Sequence, residues 1–302
     1  MILVTGSLAI DRIAVFHGRF ADHILPHQVH RLSVAFPIKN MTENFGGTGG
    51  NIAYNLGILG EKPILLSTVG KDGGKYIAWL KKNKIDCRYV KKIPKVLTAH
   101  ATIMTDMDDN QITAFYEGAM AHAPRSAPRA TLGIIAPNDT RAMLAYANGF
   151  RKKRIPFVAD PGQAISALSK EELVRLMKGA HVLICNDYEW EMILEKTKKS
   201  HADLLSLVDY LIVTYGEAGS KVWKRGSAEV TEVPIYKVKD VVDPTGCGDA
   251  LRAGVLYGLS HGHSIVRAAH IGSWLAARAV TKQGTQNHCV SKSEFQRFMK
   301  TI

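Results

Sequence analysis

The stretch Asp243-Pro244-Thr245-Gly246-Cys247-Gly248-Asp249 ends an apolar run, Val241-Val242, and leads into a helix in which Leu251, Val255 and Leu259 recur every four residues. Its small residues leave backbone N–H groups bare, and a helix N-terminus carries roughly half a positive charge. The amides of Gly246, Cys247 and Gly248 are therefore expected to cradle an anion. Asp249 sits inside that cradle. A carboxylate beside an anion site is electrostatically costly unless it has a task, and the task that fits is accepting the proton of a hydroxyl that attacks a phosphoryl group. The plainer alternative is a glycine-rich turn capped by an ordinary Asp.

Elements able to position these residues are legible on either side. Ile2-Leu3-Val4-Thr5-Gly6 reads as a buried strand ending in a turn. Asp11 stands near its C-terminal edge, where open parallel sheets bind ligands. Residues 13–40 mix Ile13, Val15, Phe16, Phe20, Phe36 and Ile38 with His and Arg in partial alternation, which predicts two or more short strands inserted after the first. Phe45-Gly46-Gly47-Thr48-Gly49-Gly50-Asn51 opens a helix with Ile52, Leu56 and Leu59 on one face; the glycines do not give the dinucleotide spacing G-x-G-x-x-G. Thr98–Thr105 and Gln111–Tyr116 alternate around Asp108-Asp109-Asn110, a hairpin signal. From Leu132 onward strands and helices alternate, as in a parallel sheet covered on both faces. Asp160-Pro161-Gly162-Gln163 closes one strand at the same edge, a loop without an assigned duty.

Composition narrows the function classes. The 302 residues are 46% hydrophobic and 22% charged, as in a globular protein with a sizeable core. No apolar run reaches the ~20 residues of a membrane span, and Met1–Gly6 lacks the basic start of a signal peptide, so a cytoplasmic protein is expected. Cys87, Cys185, Cys247 and Cys289 form no Cys-x-x-Cys pair, which argues against zinc or a redox motif. Cys247 alone has a reason to be reactive, at a helix N-terminus; a small residue tolerated in the turn is the simpler reading. The formal net charge of +12 comes from scattered clusters without interleaved aromatics, so a surface that attracts anionic metabolites is expected rather than nucleic-acid binding. His261-Gly262-His263 lacks the further convergent ligands of a metal site.

Asp-Pro-Thr-Gly-Cys-Gly-Asp at 243–249 resembles the Asp-Thr-x-Gly-Ala-Gly-Asp signature of the ribokinase-like (PfkB) carbohydrate and nucleoside kinases, with Pro244 and Cys247 as departures. The resemblance extends in order from Asp11 to Asn287. It implies an α/β fold, a three-layer α/β/α sandwich with a mostly parallel central sheet, in one domain spanning 1–302, with a small β lid from insertions at about 13–40 and 98–118. It also implies the roles of further residues. Asp11 would accept hydrogen bonds from two sugar hydroxyls, which suits a carboxylate with about four lone-pair sites. Gly47 would let the sugar approach, Asn51 would bind its hydroxyls, and an inward Gln28 would reach a base or ribose. Asn186-Asp187-Tyr188-Glu189 matches the family's Asn-x-x-Glu motif. Its Asn186 and Glu189 share a face of a first helical turn and would hold Mg²⁺ through water beside the phosphates. Thr214, Gly216 and Gly219 match the ATP-binding turn, Gly284–Asn287 would wall the adenine, and Arg252 could brace a phosphate. Asp243 and Thr245 match the pattern that holds K⁺, interrupted by Pro244.

Within the family, the signature variant, the Phe-Gly-Gly-Thr-Gly-Gly-Asn segment and an apolar lid look most like the nucleoside kinases. The reaction implied is transfer of the ATP γ-phosphoryl to the 5′-hydroxyl of adenosine or a related nucleoside, by a protein that could pair as a homodimer. A ribokinase, fructokinase or sugar-phosphate kinase, or a nucleotide-binding regulator without turnover, remain the alternatives.

Overall fold

In the computed structural model, which describes residues 1–108 and 110–302, the apolar run at the N-terminus becomes an inner strand of the larger of two sheets. Asp109, in the expected hairpin turn, lies outside the described residues. The strands in chain order are β1 (Ile2–Thr5), β2 (Ala9–Val15), β3 (Asn40–Gly46), β4 (Ile64–Val69), β5 (Asp86–Lys92), β6 (Ala99–Thr105), β7 (Gln111–Tyr116), β8 (Leu132–Ile135), β9 (Phe157–Ala159), β10 (Val182–Asn186), β11 (Tyr210–Thr214), β12 (Ser220–Lys224) and β13 (Val230–Val233). The helices are α1 (Thr48–Ile58), α2 (Gly74–Lys82), α3 (Thr140–Lys153), α4 (Lys170–Met177), α5 (Asp187–Thr197), α6 (His201–Leu205), α7 (Cys247–Ser260), α8 (Ile265–Ala279) and α9 (Lys292–Met299).

The nine-stranded sheet runs β13-β12-β11-β10-β9-β8-β1-β4-β5. From β11 to β5 every pairing is parallel; β12 and β13 extend the edge antiparallel. Its inner strands read as continuous apolar runs because both faces are covered. On one face α1, α2, α7 and α8 pack Ile52, Leu56, Leu80, Val255 and Leu275 against Val4 and Ile184. On the other, α3, α4 and α5 bring Tyr146, Phe150, Leu176 and Ile193 against Leu3, Leu183 and Leu211. This is the ribokinase-like three-layer arrangement expected from the sequence. No described helix is long and apolar enough to cross a membrane.

The second sheet, β3-β2-β6-β7, is built from two separate chain segments. Here the structure departs from the expectation for residues 13–40. Strands β2 and β3 flank the stretch, but its middle forms two short 3₁₀ turns, Phe20–Asp22 and Pro26–Arg31. The alternation that suggested strands instead gathers rings: Phe16, Phe20 and Phe36 pack on one another with centroids 4.9–5.9 Å apart. The Phe20 N–H donates to the buried Asp106 carboxylate at 2.9 Å, anchoring the turn across the β6–β7 connection.

Candidate active site

The first turns of α1 and α7 meet at the C-terminal end of β1. Gly246 starts α7 with φ +81°, and a Cβ there would lie 2.9 Å from the Thr285 side chain, so both conformation and space call for glycine. The Cys247 N–H is used inside the turn, donating to Pro244 O at 3.2 Å. Among the described residues the Gly246 amide meets no backbone acceptor, while the Gly248 N–H bonds to the neighbouring Cys247 sulfur. The Cys247 thiol is pushed up by burial, with Asp249 adding to the effect, the reverse of the shift expected from the helix terminus.

Asp249, in the first turn of α7, accepts a hydrogen bond from Asn51 Nδ2 at 2.8 Å. Asn51 lies in the first turn of α1 and is 4% exposed. Its Oδ1 receives Gln286 Nε2 at 2.9 Å and the Thr285 hydroxyl at 2.8 Å. Gln286 in turn donates to Tyr76 Oη (2.7 Å) and accepts from Trp79 Nε1 (3.0 Å), while Tyr76 donates to Gly46 O (2.6 Å). The expected sugar-binding amide of Asn51 thus faces the Asp249 carboxylate, its oxygen already satisfied. Residues 284–287, expected against a nucleotide base, place Thr285 and Gln286 beneath α1. Nothing in the local sequence pattern announced this network; four consecutive polar residues, Thr285-Gln286-Asn287-His288, after an apolar helix were the only signal.

The Asp249 pKa is pushed up to about 7, chiefly by burial of the carboxyl, with Asn51 and Arg252 pulling down and the charges of Asp160 and Asp11 pushing up. Asp11 lies on β2 opposite Asn44 of β3, and burial pushes it up to about 6. A Cβ on Gly46 would sit 2.1 Å from Asp11 Oδ2, so this glycine makes room for the carboxylate. The space at Gly47 (φ +83°) is taken by the chain itself: a Cβ would meet Ala9 N at 2.6 Å and Ser7 O at 2.7 Å. Gln28 lies exposed in the second 3₁₀ turn, which buries none of its residues because the neighbouring rings pack together without it.

One turn beyond Asp249, Arg252 is buried and clamps Asp160 at the end of β9, with Nε–Oδ2 at 2.5 Å and Nη2–Oδ1 at 2.7 Å. Its Nη1 also donates to Gly248 O at 3.1 Å, and Nη2 stands 3.8 Å from Glu189 Oε2. The guanidinium read as a phosphate brace is thus bound to the loop left without a duty, and it ties that loop to the turn preceding Asp249.

Asn186 and Glu189 form a reciprocal cap on α5: the Glu189 N–H donates to Asn186 Oδ1 at 2.7 Å, and the Asn186 N–H donates to Glu189 Oε2 at 2.9 Å. Burial pushes the Glu189 carboxyl above its ordinary range, Asp160 adding to the rise and Arg252 opposing it. Asn186 and Thr214 are neighbours in register at the ends of β10 and β11, and Gly216 and Gly219 shape the following turn. A Cβ on Gly219 would reach within 2.4 Å of Val233 O, so its place is set by β13. Asp243 is spoken for: Oδ1 accepts from Thr245 N (2.9 Å), and Oδ2 accepts from Gly284 N (2.8 Å) and Gln283 Nε2 (3.0 Å). Burial opposes its ionisation, but the bonds from Gly284 and Thr245 outweigh it and hold the pKa below the usual value. The Thr245 residue is exposed.

The chain and its fold recur in known proteins. Residues 1–293 match the model of the pfkB family carbohydrate kinases. A nucleoside kinase of Methanocaldococcus jannaschii is 31% identical over 262 residues, 85% of each chain. The structure of a Burkholderia thailandensis nucleoside kinase in complex with inosine superposes with a TM-score of 0.87 at 34% identity, covering 99% of this chain and 97% of that one. The same protein in complex with ADP-inosine gives 0.85 at 35% identity, covering 100% and 95%. With Asp249 at the helix terminus and the match running through nearly the whole chain, the protein belongs to the pfkB family of carbohydrate kinases and is an ATP-dependent phosphotransferase.

Proposed function

We propose that the chain is a nucleoside kinase that transfers the γ-phosphoryl of MgATP to the 5′-hydroxyl of a purine nucleoside such as adenosine or inosine. The observation that carries this reading is the Asp249 carboxyl, fixed by Asn51 in the first turn of α7, with a pKa pushed up to about 7. A base so tuned is substantially ionised near neutrality and still basic enough to accept a proton. Asp11 holds the ribose diol and aims the 5′-oxygen. As that oxygen attacks the γ-phosphorus, its proton passes to Asp249, the bond from phosphorus to the bridging oxygen breaks, and its electron pair leaves with ADP. The Gly246 amide and the α7 N-terminus offer fixed dipoles to the charge that accumulates on the phosphoryl oxygens. The four-stranded sheet acts as a lid, excluding water that would otherwise take the phosphoryl group.

Nucleotide lies along the ends of β10 and β11, between Asn186, Thr214, Gly216 and Gly219. Mg²⁺, when bound, would neutralise phosphate charge, and Asn186 and Glu189 are the residues suited to hold it through water, since their capping bonds use only Glu189 Oε2 and one lone pair of Asn186 Oδ1, leaving Glu189 Oε1 and the second Oδ1 lone pair to accept from metal-bound waters. The Asp243 carboxylate accepts one hydrogen bond on Oδ1 and two on Oδ2, so a K⁺ ion held by this side chain would be confined to the remaining lone pair of Oδ1. The nucleoside kinases among the relatives, one of them holding inosine, support the acceptor. ADP formation measured against adenosine, inosine, ribose, fructose and fructose 6-phosphate tests it. Turnover with the nucleosides is expected. Turnover confined to the sugars would make the protein a sugar kinase, and turnover with none would leave a nucleotide-binding regulator.

A further inference from the structure

The buried polar chain behind Asp249 has a direction. An indole N–H can only donate, so Trp79 fixes which end of the Gln286 amide is the oxygen. The Gln286 NH₂ group can likewise only donate, and both its hydrogens are directed, to Tyr76 Oη and Asn51 Oδ1. That in turn fixes the Asn51 amide, leaving Nδ2 to face Asp249 Oδ2. Thr285 cannot set this polarity, because a hydroxyl donates or accepts as its surroundings require. A reversed Asn51 would press NH₂ against NH₂ at Gln286 and lone pair against carboxylate at Asp249. Phe45 and Tyr54 flank Trp79 with ring centroids 6.2 and 6.1 Å away, holding the indole in place.

We infer that Trp79 and Gln286 are positioning residues for phosphoryl transfer: they orient the Asn51 amide so that it donates to, and keeps ionised, the Asp249 carboxylate. The inference rests on the reading of Asp249 as the base. Neither residue bonds to Asp249 itself, and Asn51 is the group through which they reach it.

The test is the pH dependence of kcat with saturating MgATP and nucleoside. Gln286→Met, of similar length but without donors, frees Asn51 to reverse. The acid limb is expected to move up by about one pH unit, with kcat falling roughly fivefold near pH 7 and about tenfold on the acid side of it, and KM for ATP changing less than about twofold. Trp79→Phe keeps an aromatic ring beside Phe45 and Tyr54 and removes the N–H together with the five-membered half of the indole; it is expected to move the limb in the same direction by a smaller amount, and it serves if the Gln286 variant does not fold. In an Asn51→Leu background, Gln286→Met should cost nothing further. A limb that stays in place in both variants, or a Gln286→Met penalty undiminished in the Asn51→Leu background, overturns the inference. A wild-type protein that turns over no acceptor would instead overturn the kinase reading on which it rests.

Discussion

Replacing Arg252 by Met takes the counter-charge from a carboxylate with no route to water. Asp160 is 1% exposed and Arg252 8%, and the two share a bidentate contact at 2.5 and 2.7 Å. Both charges have been withdrawn from solvent, so the pair's net worth to stability is small, but stripping one partner leaves the other's desolvation uncompensated. Loss of such a partner costs about 3–5 kcal/mol. That lowers the folded-to-unfolded ratio by roughly two to three and a half powers of ten, a large part of the 5–15 kcal/mol typical of a whole domain. The expected observation is a urea midpoint far below wild type with an unchanged slope. The double variant Arg252→Met/Asp160→Leu, which removes both charges, should recover most of the loss. Its activity should not recover, because Arg252 also holds Gly248 O and lowers the Asp249 pKa. An Arg252→Met protein within about 1 kcal/mol of wild type, or a double variant as unstable as the single, would refute the reasoning.

Asp249→Asn keeps the bond to Asn51 through its amide oxygen and loses the base; kcat should fall by about two to four orders of magnitude while ATP still binds, as isothermal titration would report. In the wild type, kcat/KM should rise with pH through about 7 as Asp249 ionises, and a rate that is flat down to about pH 5 would contradict that assignment. The same group sets a stability trend of opposite sign. Folding raises its pKa from 3.8 to about 7, so the folded chain retains a proton that the unfolded chain has released across that window, and the contribution is lost as pH climbs through about 7. Asp249→Asn escapes this loss, and its melting temperature relative to wild type should therefore rise between about pH 5 and pH 8. Gly46→Ala would put a methyl 2.1 Å from Asp11 Oδ2, displacing the carboxylate; KM for the nucleoside should rise about tenfold, equivalent to about 1.4 kcal/mol, with KM for ATP little changed.

The sequence carried the layered fold because periodicity and burial are local. Ile2-Leu3-Val4 could serve only as a strand covered on both faces, and Leu251, Val255 and Leu259 only as one stripe of a helix. It misled at residues 16–39 for a related reason. Alternation records which side chains want cover, not what covers them, and Phe16, Phe20 and Phe36 find cover in one another. Asn186 and Glu189 carried two meanings at once, since the spacing that would present both side chains to a metal is also the spacing of a capping box.

The residues that govern the candidate base were hidden by distance along the chain. Asp249 could be found from its glycines, but the group that grips it lies 198 positions away, and each further bond in the chain spans as much: Gln286 is 235 positions from Asn51, and Trp79 207 from Gln286. No periodicity links such positions. Each is an ordinary amide or indole until the fold closes a loop over α1, and each then becomes costly to change because its partner is buried and can be satisfied in only one sense. Hence the side chain that carries the chemistry can be read from a motif, while its protonation is set by residues whose types are unremarkable. If the pH profile of kcat moves with Trp79→Phe, a substitution that removes the indole N–H donor from a different helix, the acid–base chemistry of Asp249 is a property of that whole chain of donors.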